Sequence, residues 1–164
     1  MSTTARPNPF NTGNIGERSA DLVFGPAKKT KMYVVGFLFD KKLERVLLIR
    51  KNKPQWQKGL LNGVGGKAEE GETYSQAMTR KFKEEAGLWI HTWLSFHMLK
   101  FDAGAVIFYW ATGDVDSAKS LTDEKLEIHL ISELNSLPVI PNLRWLIPMC
   151  MDNQYEYGTS EILV

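Results

Sequence analysis

The stretch Gly66-Lys67-Ala68-Glu69-Glu70-Gly71-Glu72, followed after seven residues by Arg80-Lys81-Phe82-Lys83-Glu84-Glu85-Ala86-Gly87-Leu88, decides how the 164-residue chain is read. Its second half has the marks of a helix over residues 73–86. Thr73 is placed as the N-cap, Gln76 three residues on completes a capping box, and Gly87 is placed to end the helix. Ala77, Met78, Phe82 and Ala86 recur at helical spacing and form the stripe to be buried. Glu84 and Glu85 then fall near the helix C-terminus, whose partial negative charge disfavours anions, so they need an offsetting cation. Carboxylates are hard oxygen ligands suited to Mg²⁺ or Mn²⁺. Lys81 falls in the same arc, so a charged face knit by i,i+3 and i,i+4 pairs accounts for the pattern equally well. The preceding glycines (Gly63, Gly65, Gly66) favour a ligand, because exposed backbone there binds metal or phosphate.

Outward from this segment, strand-like runs lie at residues 32–40 and 45–51, joined by polar Lys41, Lys42 and Glu44. Residues 52–59 read as a polar loop and 60–67 as glycine-rich. Beyond the helix, strands are expected at 88–101, 105–112 and 126–130, a helical turn at 132–136, and a helix at 142–151 interrupted or kinked at Pro148. The interleaving suggests an α+β or α/β sandwich with a mixed sheet. Residues 1–30, rich in small polar residues early on, read as a mobile arm, in which residues 22–24 are a weak candidate for packing on the domain edge. The domain is expected over 31–164.

Composition narrows the classes. Apolar residues make up 43% and charged residues 24%, which is globular composition. Twenty Lys+Arg stand against 19 Asp+Glu, so net charge +1 gives no general drive toward nucleic acid or an anionic membrane. Cys150 is the only cysteine, excluding an intramolecular disulfide and a multi-Cys zinc site, and it reads as a small buried hydrophobe. No apolar run reaches the length of a bilayer span. Without a secretory signal at residues 1–9, the expectation is a soluble cytoplasmic protein, with homodimerisation left open.

The spacing Gly66-x5-Glu72-x7-Arg80-x-Phe82-x-Glu84-Glu85-x-Gly87-Leu88 resembles the Nudix box, G-x5-E-x7-R-E-U-x-E-E-x-G-U, at all specified positions but one. With the strand pattern around it, the resemblance covers about the last four-fifths of the chain. It implies an α/β/α sandwich of the Nudix fold and Mg²⁺- or Mn²⁺-dependent hydrolysis of a nucleoside diphosphate linked to another group. It further implies Glu84 and Glu85 as metal ligands, with the Gly65 carbonyl beside them. Arg80 would orient the glutamates, Glu72 and Gly66 would support the loop–helix geometry, and Gly87 would end the helix. The departure is Lys81, where the family has a glutamate. Exchanging −1 for +1 beside a metal costs several kcal/mol, using roughly 332/(εr) with ε near 20. The local net charge over residues 66–87 is −1, against −3 with a glutamate at 81.

A finer likeness concerns the substrate. Leu61-Asn62-Gly63-Val64-Gly65-Gly66-Lys67 resembles the W-N-G-F-G-G-K segment of MutT-like, oxidised purine nucleoside triphosphatases. That likeness implies Asn62 at a purine edge and Lys67 in the same binding segment. Thr122-Asp123-Glu124 resembles that group's S-D-E segment, making Glu124 the distal acidic candidate, with Glu127 second. Asn142-Leu143-Arg144-Trp145 resembles a segment with acidic residues before a tryptophan, but Asn142 replaces the base-contacting aspartate. Trp56 and Trp145 are the tryptophans best placed to stack on a base, and His91, His97 and His129 lack mutual ligand spacing. The expected reaction is a (d)NTP or modified (d)NTP giving monophosphate and pyrophosphate. ADP-ribose, a nucleotide sugar or a dinucleotide is the alternative, as is a nucleotide-binding domain weakened catalytically by Lys81. The expected partner is a nucleotide, with no membrane and nucleic acid disfavoured.

Overall fold

The computed structural model describes residues 30–152 and 154–162. The arm expected over 1–30, apart from Thr30, and its candidate packing segment lie outside the described residues. Strands β1 (Lys31–Phe39) and β2 (Arg45–Arg50) form from the first two apolar runs and pair antiparallel, Leu38 opposite Leu47. Short strands β3 (Leu61–Asn62) and β4 (Val64–Lys67) follow, then helix α1 (Tyr74–Ala86), strands β5 (Leu94–Phe101), β6 (Gly104–Thr112) and β7 (Lys125–Leu130), helix α2 (Leu143–Met151) and strand β8 (Gly158–Glu161).

These strands make one mixed sheet in the order β3-β2-β1-β6-β5-β8, with β4 also on β1 and β7 also on β2. The centre is the parallel pair β1–β6, in register from Lys31–Gly104 to Phe39–Thr112. Alternation along β1 divides the core. Val34 and Leu38 pack on one face with Ala77, Met78, Phe82 and Ala86 of α1. Phe37 and Phe39 pack on the other with Leu143, Leu146 and Ile147 of α2. This is the expected α/β/α sandwich.

Helix α1 has the ends its sequence predicts. Thr73 Oγ1 accepts the Gln76 amide while Gln76 Oε1 accepts the Thr73 amide, and Gly87 closes the helix at φ 70°. Two expectations change. The run 88–101 forms a strand only from Leu94, because Leu88 and Ile90 turn down onto the α1 cluster and Thr79 Oγ1 binds the Ile90 carbonyl at 3.2 Å. Their alternation is that of a packed connection, indistinguishable from a strand by pattern alone. The second helix is not interrupted at Pro148, which lies inside Leu143–Met151 and leaves one intrahelical hydrogen bond unmade on the exposed side. Strand β8, polar Gly-Thr-Ser-Glu, adds parallel to β5 and gave no apolar alternation to announce it.

Candidate active site

The glycine-rich segment becomes β4, antiparallel to β1 with Gly65 opposite Val35 and Gly66 opposite Val34. It runs straight into the loop that carries Glu69, Glu70 and Glu72 to the start of α1. Arg80 binds this loop to the helix. Its Nε and Nη2 donate to the two Glu72 oxygens at 3.0 and 2.6 Å, Nη2 also reaches the Lys67 carbonyl at 3.3 Å, and Nη1 donates to Glu84 Oε1 at 3.1 Å. Glu72 Oε1 in turn accepts the Glu69 amide at 2.7 Å. The Arg80 hydrogen bonds hold the Glu72 carboxyl below the usual carboxylate range, outweighing desolvation.

Lys81 lies across Gly66. A Cβ built on Gly66 would stand 2.4 Å from Lys81 Cε, so residue 66 must be small to admit that side chain. The ammonium thereby sits between the paired glutamates, 3.2 Å from Glu84 Oε2 and 3.3 Å from Glu85 Oε1. Glu84 is half exposed. Desolvation pushes its proton affinity up, but the hydrogen bonds from Arg80 and Lys81 win and hold it below the ordinary value. Glu85 is buried, and desolvation raises its pKa despite the opposing charges of Lys81 and Lys51.

The loop after β6 is stitched to the last turn of α1, where the Leu121 amide donates to the Glu85 carbonyl at 3.2 Å and the Lys119 amide to that of Ala86 at 3.0 Å. This brings buried Glu124 close enough for its charge to act on Glu85. Glu124 Oε1 accepts from Lys51 Nζ at 2.6 Å and Oε2 from the Asn52 amide at 2.5 Å. Glu127 is directed elsewhere, into pairs with Arg50 and His129. Sequence reasoning missed Lys51. Strand alternation through Leu47 and Ile49, both on the α1 face, would have placed it there.

One acceptor of this cluster stands out: Glu85 Oε2 is buried and has no hydrogen-bond partner. An orphaned anionic oxygen is costly, and a hard cation satisfies it. Among the described residues no group of three or more His, Cys, Asp or Glu side chains is arranged around a metal position. What the site offers a divalent ion is therefore this one free oxygen of Glu85, crowded by the ammonium groups of Lys81 and Lys51 and open to completion by water and phosphate.

The residues expected to bind substrate are dispersed around this centre. Asn62, half buried, receives the Gly63 amide at 2.8 Å and pairs across the sheet with Ile49, which places it on the α1 face. Asn142 precedes α2 without capping it, and its Oδ1 is buried and unpartnered. Trp145 is half exposed with its ring edge-on to His97 at 5.4 Å, on the α2 side, and Trp56 is exposed in a 3-10 turn. Lys67 is exposed at the end of β4. It also lines a cleft of about 860 Å³ with Met32, Glu69, Glu72, Thr73 and Tyr74. His97 is buried between Tyr155 Oη and Ser160 Oγ, each at 2.9 Å. Cys150 is half buried, donates to the Leu146 carbonyl, and has its thiol pKa pushed up by burial. Among the described residues no helix is long and apolar enough to cross a membrane.

No curated protein sequence matches the chain significantly. Solved structures do. A MutT described from Aliivibrio salmonicida and Vibrio cholerae superposes with TM-score 0.65 at 22% identity, covering 73% of this chain and 95% of its own. The Nudix domain of Shewanella oneidensis NrtR, in complex with ADP ribose, gives 0.66 at 15% identity, covering 82% and 96%. An ADP-ribose pyrophosphatase from Streptococcus suis gives 0.60 at 17% identity, covering 79% and 98%. At these identities the likeness is one of fold. The family profile of the Nudix domain matches residues 29–144, which span the box, both core faces and Glu124. With its mixed sheet between two helical layers and its glutamates gathered at the end of α1, the chain belongs to the Nudix hydrolases.

Proposed function

We propose that the protein is a divalent-metal-dependent nucleotide pyrophosphohydrolase acting on a (d)NTP or modified (d)NTP, with monophosphate and pyrophosphate as products. The observation carrying this reading is the convergence of Glu84, Glu85 and Glu124 beside a loop that Arg80 fastens to the helix. The triphosphate preference rests on the Asn62–Lys67 segment and on the MutT fold neighbour. A divalent cation, when bound, supplies neutralisation of phosphate oxygens and polarisation of the attacking water. The chain's own residues do the rest. Glu85, through its free Oε2, would hold the cation, with Glu84, Glu124 and the Gly65 carbonyl as the further candidate ligands. Arg80 fixes the Glu84 carboxylate, so the site meets the pyrophosphate already arranged. Lys81 and Lys67 draw phosphate oxygens. Asn62, Asn142, Trp145 and Trp56 are the base-side candidates, and the unpartnered Oδ1 makes Asn142 the amide with an acceptor to offer. The water oxygen bonds to phosphorus as the bridging P–O bond breaks, and pyrophosphate leaves.

Two observations favour other outcomes. Asn142 in place of an aspartate, with ADP-ribose-related fold neighbours, favours an ADP-ribose, nucleotide-sugar or dinucleotide substrate. Lys81 between the glutamates favours binding with weakened turnover. A panel of nucleoside triphosphates, ADP-ribose, nucleotide sugars and dinucleotides, with Mg²⁺ or Mn²⁺, separates them. The proposal expects triphosphate turnover by the unaltered chain, lost in Glu85→Gln. Turnover confined to Lys81→Glu would identify the unaltered chain as a binding domain, and no hydrolysis by either would sink the enzymatic reading.

A further inference from the structure

The carboxylates gathered at the end of α1 are almost fully engaged by nitrogen. Glu84 Oε1 and Oε2 receive Arg80 and Lys81, Glu85 Oε1 receives Lys81, and both Glu124 oxygens receive Lys51 and the Asn52 amide. Only Glu85 Oε2 has no partner, and the atom itself is buried, on a residue 8% exposed. A divalent ion of the Mg²⁺ class takes one or two carboxylates and fills the remaining positions with water and substrate phosphate. One orphaned oxygen suits one such ion. A second would need Glu84 or Glu124 stripped of its ammonium partner, and would then face that ammonium at close range.

Charge points the same way. Three carboxylates (Glu84, Glu85, Glu124) stand against two ammonium groups (Lys51, Lys81), with the Arg80 guanidinium shared with Glu72. The remaining negative charge is small, and one dication already exceeds it. The packing of Lys81 over Gly66 makes its placement part of the fold, because the glycine surface receives the lysine stem and delivers Nζ between the glutamates.

We infer that this chain binds a single divalent cation, at Glu85, and that the ammonium groups of Lys81 and Lys51 stand as built-in monovalent charges where further ions would otherwise be held. This rests on the pyrophosphohydrolase reading for the identity of the ligand, a phosphate-bearing nucleotide with one cation. Lys81 and Lys51 then meet phosphate oxygens directly, and part of the substrate's charge is met without metal.

The test counts ions. Mn²⁺ is titrated into the full chain and followed by the loss of the free-ion electron paramagnetic resonance signal, alone and with a triphosphate whose α,β-bridge is methylene and cannot be hydrolysed. The expected result is one Mn²⁺ per chain, lost in Glu85→Gln. Lys81→Glu is expected to take at least two. Lys81→Met, which removes charge without adding a ligand, is expected to keep one ion but bind it about tenfold more tightly. Circular dichroism of each variant confirms folding, and Lys81→Met remains informative if Lys81→Glu does not fold. Two or more ions on the unaltered chain, none at millimolar Mn²⁺, or unchanged affinity in Lys81→Met would overturn the inference. Turnover is a separate readout. Two ions with hydrolysis would defeat the inference alone, whereas one ion without hydrolysis of any panel member would defeat the enzymatic reading alone.

Discussion

Arg80 grips Glu72 with two near-parallel hydrogen bonds, Nε to Oε2 at 3.0 Å and Nη2 to Oε1 at 2.6 Å, across the junction between the glutamate loop and α1. The planar fork matches the carboxylate in a way an ammonium cannot. Arg80→Lys is therefore expected to lower stability by about 1–2 kcal/mol after allowing for solvent screening, a fall of about 2–6 °C in melting temperature for a domain of this size. Calorimetry reads this directly, and an unchanged midpoint would show the pair to be energetically idle. Glu72 also has a pH signature. Its folded pKa is depressed, so its stabilisation is complete above about pH 4.5 and drains away as pH falls through the lower folded value. Glu72→Gln should flatten the stability profile in that acid window.

Gly65, just before the box, and Gly66, its first residue, should respond very differently to alanine. A Cβ at Gly65 would lie 1.9 Å from the Val34 carbonyl oxygen, a backbone atom held in the sheet. Gly65→Ala is expected to cost about 3 kcal/mol or more. At Gly66 the obstructing atom is the movable Lys81 Cε, so Gly66→Ala should stay within about 1 kcal/mol of the parent while displacing the ammonium. Denaturant unfolding combined with Mn²⁺ affinity distinguishes the two. Equal destabilisation would contradict the different neighbours they have.

Phe82 is wholly buried, with its ring 5.0 Å from that of Trp93. Phe82→Ala removes the keystone of the α1 face and should cost about 3–5 kcal/mol in urea unfolding, whereas Phe82→Leu should cost markedly less. A loss below about 1 kcal/mol would mean that α1 is not anchored there.

Burial alone lowers the His97 pKa below its ordinary value. The folded state thus binds fewer protons than the unfolded one between the lowered value and about 6.5, and its contribution to stability is present above that window and lost as pH falls through it. Unfolding free energy should rise with pH through the acid side of about 6.5, and His97→Gln should shallow that slope, as measured by urea titration at several pH values.

Much of this was legible in the sequence, for reasons that differ by element. Helix α1 was legible down to its caps because Thr73, Gln76 and Gly87 act through local hydrogen bonds and a local φ. The β1 and β2 runs were legible through their apolar content. What escaped depended on contacts distant in sequence. Leu88 and Ile90 alternate like a strand but lie against the helix. β8 exists because β5 offers an edge. The site divided along the same line. Glu84, Glu85 and Arg80 lie on one helix inside the stretch that resembles the Nudix box, whereas Lys51 enters through a pairing with Glu124, 73 positions away.

The loop bearing Glu124 is anchored by the amides of Lys119 and Leu121 on the Ala86 and Glu85 carbonyls, the groups a helix end leaves unsatisfied. Fraying of the last turn of α1 and dispersal of the glutamates are consequently one event, not two. Slow exchange of those two amides with deuterated solvent would therefore serve as a clock for how long the site stays assembled, readable without any substrate.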